Sequence, residues 1–319
     1  MQAIMLGQAL QARPYAWGCV SVNPNPPRVG EATRISFPLA NPGPEAVTVQ
    51  RIEVAIAQFG MGVRWEQLDP IGPFSLPPDP RHIERHRIWN EKPTLRLLYT
   101  DYHRRLIAAC PNGPLLDIGG GTAHVKQVRP DVCSVDILPF PGIDVVCDAH
   151  SLAFADDQFT GIIMIDVLHH LERPLAFLKE ASRVLRPRGI LAMIEPGMSP
   201  IAYPFYHHLH QEPADMGVDP FVPAPAKSSR DPFDANQAIP TLLFNPANRP
   251  RLNEAVPELR VLQIDWLSLF AFPLSGGFKS WCLMPSRLAT AFVRFEDSLP
   301  TRVRQFFGFR IFVSLEKVA

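Results

Sequence analysis

The segment PLLDIGGGTAHV (residues 114–125) limits this chain more than any other: an apolar strand runs straight into three glycines and then into a helix-forming stretch. Lacking a Cβ, Gly119, Gly120 and Gly121 let the backbone take positive φ and let a ligand lie against the main chain. The helix start that should follow would offer free amide donors. Such a bend occurs in many nucleotide folds and in plain tight turns, so its neighbours have to decide. A G-x-G-x-x-G dinucleotide fingerprint counted from Gly119 would need its third glycine where His124 stands, which weakens a pyrophosphate reading.

The chain on either side alternates strand and helix. Apolar positions Leu95, Leu98, Tyr99, Tyr102, Leu106 and Ala109 recur at three- and four-residue steps, which predicts an amphipathic helix over 92–110. Strands are expected at 114–118, 132–136, 144–147, 161–166 and 189–194, and helices at 123–128 and 174–185. That order implies a mostly parallel sheet covered by helices on both faces, with its ligand outside the carboxyl ends of the strands. Strand-like stretches at 259–270 and 309–316, around a helix at 285–298, are expected to close the sheet with an antiparallel pair. Prolines and aromatics crowd residues 196–250, where the expectation is irregular structure shaping an acceptor pocket or lid.

Three carboxylates follow the strand ends in turn. Asp117 precedes the glycines, where it would repel a phosphate and welcome an ammonium. Asp136 ends the next strand, placed to accept from two ribose hydroxyls. Asp148, in VVCDAHSLAF, stands where its oxygen could accept from an adenine amine. An ammonium, a diol and an exocyclic amine together describe S-adenosylmethionine.

LLDIGGGTAHV, SVDIL and the run CDAHSLAFADDQFTGIIMIDVLHHLERPLAFLKEASRVLRPRGILAMIEPG resemble the class I S-adenosylmethionine-dependent methyltransferases, in particular the type-11 branch that acts on small molecules. The resemblance covers about residues 92–319. It implies a Rossmann-like, seven-stranded α/β domain over 86–319. Asp117, Gly119, Gly120 and Gly121 would hold the methionine part, Asp136 and Ile137 the ribose and ring edge, and Asp148 and Ala149 the adenine. Asp166 and Val167 would form the pocket floor. Ala123 departs from the pattern, which usually has a third glycine there.

Side chains for the acceptor are fewer and less specific. His169 and His170 follow the fourth strand; His169 and His210 are the candidate general bases, needed only where the acceptor must lose a proton. Glu195, Tyr203, Tyr206 and Glu212 are candidates for acceptor binding, and Glu195 could equally cap the next turn. The run YHHLHQE offers histidines and a glutamate, but ligands sharing a helix face sit three or four apart, so no metal site is expected there. A nicotinamide oxidoreductase on a similar sheet, or an inactive scaffold, are the competing readings.

Composition narrows the partners. Lys+Arg and Asp+Glu stand at 31 each, a balance without bulk attraction to nucleic acid or anionic membrane. The expected partner is a small-molecule acceptor, with neither nucleic acid nor membrane. No stretch approaches the roughly 20 apolar residues of a membrane span, no export signal is seen, and the 5 cysteines form no Cys-x-x-Cys pair; together these point to a cytoplasmic chain with reduced thiols. Oligomeric state stays open. Residues 1–85 read differently, with strands at 20–22, 33–39 and 47–59 separated by NPNPPRVG and NPGPE turns. They resemble a bacterial immunoglobulin-like β module, incomplete in strand count, with a Pro-rich linker.

Overall fold

The computed structural model describes residues 78–222 and 231–318 in full and, before Pro78, the backbone of short strands alone. The chain divides into two compact units, Met1–Pro77 and Pro78–Ala319.

In the first unit the strands are β1 (Ile4–Leu6), β2 (Ala16–Trp17), β3 (Ser21–Asn23), β4 (Arg34–Ser36), β5 (Leu39–Ala40), β6 (Ile52–Gln58) and β7 (Met61–Leu68). All pair antiparallel, as a β1-β6-β7 sheet and as the pairs β2-β5 and β3-β4. Of these, β3, β4, β5 and β6 overlap the stretches 20–22, 33–39 and 47–59 read as strands from sequence, while β1, β2 and β7 fall outside them. The immunoglobulin-like module as a whole lies outside the described residues.

The second unit begins with two helices, α1 (Pro80–Glu91) and α2 (Pro93–Ala109). Sheet strands follow: β8 (Leu115–Ile118), β9 (Cys133–Asp136), β10 (Val145–Val146) and β11 (Phe159–Ile165). After α3 (Pro174–Val184) come β12 (Leu185–Pro196), α4 (Ala202–Leu209), α5 (Ile239–Leu243), α6 (Arg249–Ala255) and β13 (Leu259–Leu267). The chain then forms α7 (Ala271–Ser275), α8 (Ser286–Ser298), α9 (Thr301–Phe307) and β14 (Arg310–Lys317). The strands make one seven-stranded sheet in the order β10-β9-β8-β11-β12-β14-β13. The first five of these run parallel, and β14 runs antiparallel to both its neighbours. A strand covered on both faces carries a continuous apolar run, and Ile162, Ile163 and Met164 at the centre of β11 are each 0% exposed.

Two expectations change. The helix expected over 123–128 is a single 3-10 turn, His124–Gln127. Pro130 explains the stop: it has no N–H to extend an α-helix, and its ring would clash with the carbonyl of Lys126. The space beside that turn is filled instead by α1, whose Trp89 stacks on His124 with ring centroids 3.6 Å apart and planes 9° from parallel. Secondly, residues 196–250 are not irregular throughout, since they contain α4, α5 and the start of α6. Prolines serve as helix starters here. They occupy the first turn of α1, α2, α3, α5 and α6, where the missing N–H would have had no partner.

Trp89, 2% exposed, shares a core with Leu95, Val125, Val132 and Ile163. Trp89→Ala is expected to lower stability by roughly 3–5 kcal/mol, read as an earlier urea midpoint at unchanged slope.

Candidate active site

The carboxyl end of β8 bends sharply at Gly119 (φ 67°) and Gly121 (φ 54°), conformations open to glycine at no steric cost. Gly120 N–H donates to Val135 O (2.9 Å) and Gly121 N–H to Asp136 Oδ2 (2.8 Å), so the next strand holds the bend. Ala123 sits at φ 55°, which gives the physical reason why glycine would be at ease in that position. A Cβ on Gly119 would meet Val167 Cγ2 at 2.3 Å.

A cavity of about 340 Å³ opens beyond these strand ends, within the size range of small-ligand sites. Asp117, Asp136, Ile137, Asp148, Ala149, Asp166 and Val167 all line it, with the three glycines. Asp117 lies buried at 5% exposure and accepts from Ser134 Oγ at 2.7 Å. Burial pushes its carboxyl up to about 7, against the lowering effect of the Ser134 bond. Asp136 accepts from Gly121 N–H and, through Oδ1, from Leu138 N–H at 2.9 Å. Asp148 Oδ1 accepts from His150 N–H and meets His150 Nδ1 at 2.7 Å. Burial would raise this carboxyl, but the two His150 bonds outweigh it and hold it below the usual range. Asp166, strained at φ 58°, takes the Tyr99 hydroxyl at 2.8 Å and an ion pair from buried Arg310.

A second cavity of about 530 Å³ adjoins the first. Arg85, Tyr99, Asp166, His170, Phe233 and Phe278 wall both. One side of the second cavity is pinned by Lys92, whose buried ammonium donates to Gly277 O, Lys279 O and Trp281 O at 2.6–2.9 Å. Burial lowers the Lys92 pKa, and the three carbonyls satisfy all its donors. His169, 3% exposed, sits between two acids: Nδ1 is 2.7 Å from Glu195 Oε2 and Nε2 is 3.6 Å from Glu212 Oε2. Burial opposes the charge on His169, yet the two carboxylates outweigh it and raise its pKa to about 9.

The candidates named from sequence therefore separate. Every cofactor candidate lines the first cavity, while His169, His210, Tyr206 and Glu212 line the second. Glu195 faces neither; its carboxylate accepts from Val167 N–H, Leu168 N–H and His169, fastening the turn after β11. Its role is the capping alternative. Tyr203 also lines neither cavity and rests against His207. Tyr206 is buried and its hydroxyl donates to Phe309 O at 3.0 Å, and burial drives its pKa far above the ordinary phenol value. Sequence reasoning missed Arg85, Arg310, Phe233 and Phe278. Tyr99 was visible as part of the α2 stripe, but Arg85 lies in a stretch read as linker.

Parts of this chain resemble known proteins. A family model described as "Methyltransferase domain" matches residues 116–193. A probable tRNA methyltransferase 9B from Mus musculus is 38% identical over 94 residues, 25% of this chain and 21% of that protein; the Homo sapiens counterpart is 37% identical over the same length. This chain thus spans about a fifth of the length of the curated relatives it matches. Among solved structures, a possible histamine N-methyltransferase from Thermotoga maritima is 15% identical, with a TM-score of 0.45, covering 74% of this chain and 97% of that one. Geranyl diphosphate C-methyltransferase from Streptomyces coelicolor is 12% identical, with a TM-score of 0.38, covering 68% and 77%. Residues 116–193 thus match a methyltransferase domain, which supports methyl transfer over the nicotinamide reading.

Gly120 tests the packing beneath the bend. Its Cβ would meet Ser134 Oγ at 1.9 Å and Asp117 Oδ2 at 2.8 Å, so Gly120→Ala is expected to cost about 1–3 kcal/mol by overpacking, seen as a lower unfolding midpoint.

Proposed function

We propose that this protein transfers a methyl group from S-adenosylmethionine, held in the first cavity, to a small acceptor held in the second. The observation that carries the reading is the shared wall: a donor in one cavity and an acceptor in the other meet at Tyr99, Asp166 and His170. Asp117 receives the methionine ammonium. Asp136, with one lone pair free on each oxygen, takes the ribose diol beside Ile137. Asp148 and Ala149 border the adenine, and Asp166 with Val167 forms the floor. The domain aligns the two reactants and excludes water, effects worth up to roughly 7–11 kcal/mol in well-oriented systems.

The second cavity suits an acceptor with an apolar body and an anionic group. Phe205, Phe272, Phe278 and Trp281 supply the apolar lining. Arg81 is committed to Asp79 and Asp231, and Arg310 to Asp166. Arg85 has no ion pair among the described residues and lies over the Phe233 ring at 4.9 Å, free to take the anion. His210 is the side chain placed to receive a proton: Nδ1 accepts from Glu212 N–H at 3.2 Å, which leaves Nε2 for the acceptor. A nucleic-acid acceptor is the second reading, favoured by the names of the curated relatives. Incubation with labelled donor and either bulk tRNA or a panel of small organic acids separates the two.

Asp117 sets a pH dependence. In the free protein its carboxyl is pushed up to about 7 by burial, with Asp136 and Asp144 adding to the rise and Ser134 and Lys126 opposing it. A bound ammonium requires the ionised form. Affinity for S-adenosylhomocysteine is therefore expected to be full above pH 8 and to weaken toward tenfold per unit below 7. Calorimetry across pH 5–9 should show that slope in the wild type and a flat, weaker response in Asp117→Asn. A flat wild-type profile removes Asp117 from the ammonium site. Once an acceptor is found, His210→Ala should lower kcat by about 10²–10⁴-fold and leave donor affinity unchanged.

A further inference from the structure

Beside the shared wall, three side chains from distant parts of the chain converge. His169 and His170, on the 3-10 turn Leu168–His170, and Glu212, beyond the end of α4, each bring one donor atom, and the three atoms lie within 4.8 Å of one another. We infer that His169 Nε2, His170 and the Glu212 carboxylate form a binding site for one divalent transition-metal ion, Zn²⁺ or Fe²⁺ in class, at the wall of the second cavity.

The donor set is the first argument. Two imidazoles and one carboxylate, with positions left open, make up the ligand set of catalytic zinc sites and of facial-triad iron sites. All three residues line the second cavity, so the remaining coordination positions face the space assigned to the acceptor.

The surroundings are the second argument. A metal-bound imidazole almost always donates its other ring N–H to a carboxylate, which fixes the tautomer and strengthens the ligand. His169 has that arrangement in place: Nδ1 is 2.7 Å from Glu195 Oε2, and Glu195 is 0% exposed and fastened by two backbone N–H groups. His169 Nε2 and Glu212 Oε2 stand 3.6 Å apart, close to the separation of about 3.3 Å between two ligands on one tetrahedral ion with bonds near 2.0–2.1 Å. His170 is oriented through Nδ1, 3.3 Å from Asp234 O.

The third argument is an orphan. Gln237 is 2% exposed and lines the same cavity; its Nε2 donates to Glu212 Oε2, while its Oε1 has no hydrogen-bond partner. A buried amide oxygen left unpaired is costly, and a coordinated water on the ion would satisfy it. Spacing along the chain does not reveal this cluster, because its ligands are adjacent histidines and a distant acid. The histidine run at the end of α4 draws attention instead, and its His207 and His208 take no part.

The full-length chain, stripped with chelator and dialysed against Zn²⁺ or Co²⁺, is expected to retain one ion per chain by elemental analysis. Co²⁺ should give visible bands of a nitrogen- and oxygen-ligated centre. His170→Ala and Glu212→Gln should each weaken uptake by at least about 100-fold, and Glu195→Gln by about 10–100-fold, whereas His207→Ala and His208→Ala should bind as the wild type does. Thermal unfolding run on each variant identifies any that fail to fold, in which case Glu212→Asp serves as the second ligand variant, with weakened but measurable uptake expected. Substoichiometric metal in the wild type, or a Co²⁺ spectrum unchanged in His170→Ala, overturns the site. S-adenosylhomocysteine calorimetry on the metal-free chain tests the donor reading separately, so that either conclusion can fail alone.

Discussion

The carboxylate of Asp136 holds the bend after β8 in shape. Through Oδ2 it takes the N–H of Gly121, and through Oδ1 that of Leu138, so one acid ties the glycine turn to the loop after β9. Its own position depends on the parallel pairing of β8 with β9, which sets Asp117 opposite Ser134. The Asp117–Ser134 hydrogen bond then fills the space under Gly120 that any side chain would need. Strand register, glycine identity and cavity floor are thus one interdependent arrangement.

A second set of contacts builds the second cavity. Arg310, at the start of β14, reaches Asp166 at the end of β11 and lies over Phe272 at 4.0 Å. Lys92, between α1 and α2, gathers three carbonyls of the segment after α7. Glu296 of α8 accepts from Phe270 N–H and Ala271 N–H, each at 2.7 Å, and so caps α7. Each of these is a buried charge joining elements far apart in sequence. A buried charge stripped of its partner is strongly destabilising, so these pairs commit the elements around the second cavity to one arrangement.

The proline content has a structural use that composition alone could not reveal. A high count suggests loops, yet Pro80, Pro93, Pro174, Pro240 and Pro250 begin helices. The difference is position: proline is harmful inside a helix and harmless in its first turn. For the same reason Pro130 cuts the expected helix after the glycine bend to one turn, and α1 covers the gap.

Much of the α/β unit is legible in the order of its residues. Apolar runs bounded by turns mark the parallel strands, the 3.6-residue period marks α2, and the acids at successive strand ends mark the first cavity, because each of these signals is local. The second cavity is not legible in that way. Tyr203 and Glu195 stand where sequence invites a substrate role, and the fold turns one away from both cavities and spends the other on backbone amides. Arg85, Arg310, Lys92 and the His169–His170–Glu212 cluster acquire meaning only when α1, the β11 end, the α4 end and β14 converge. By itself the sequence determined the periodic burial and the bare bend, which follow from side-chain spacing and the missing Cβ atoms. Tertiary structure alone decided which distant charges face one another, because desolvation and pairing depend on neighbours in space.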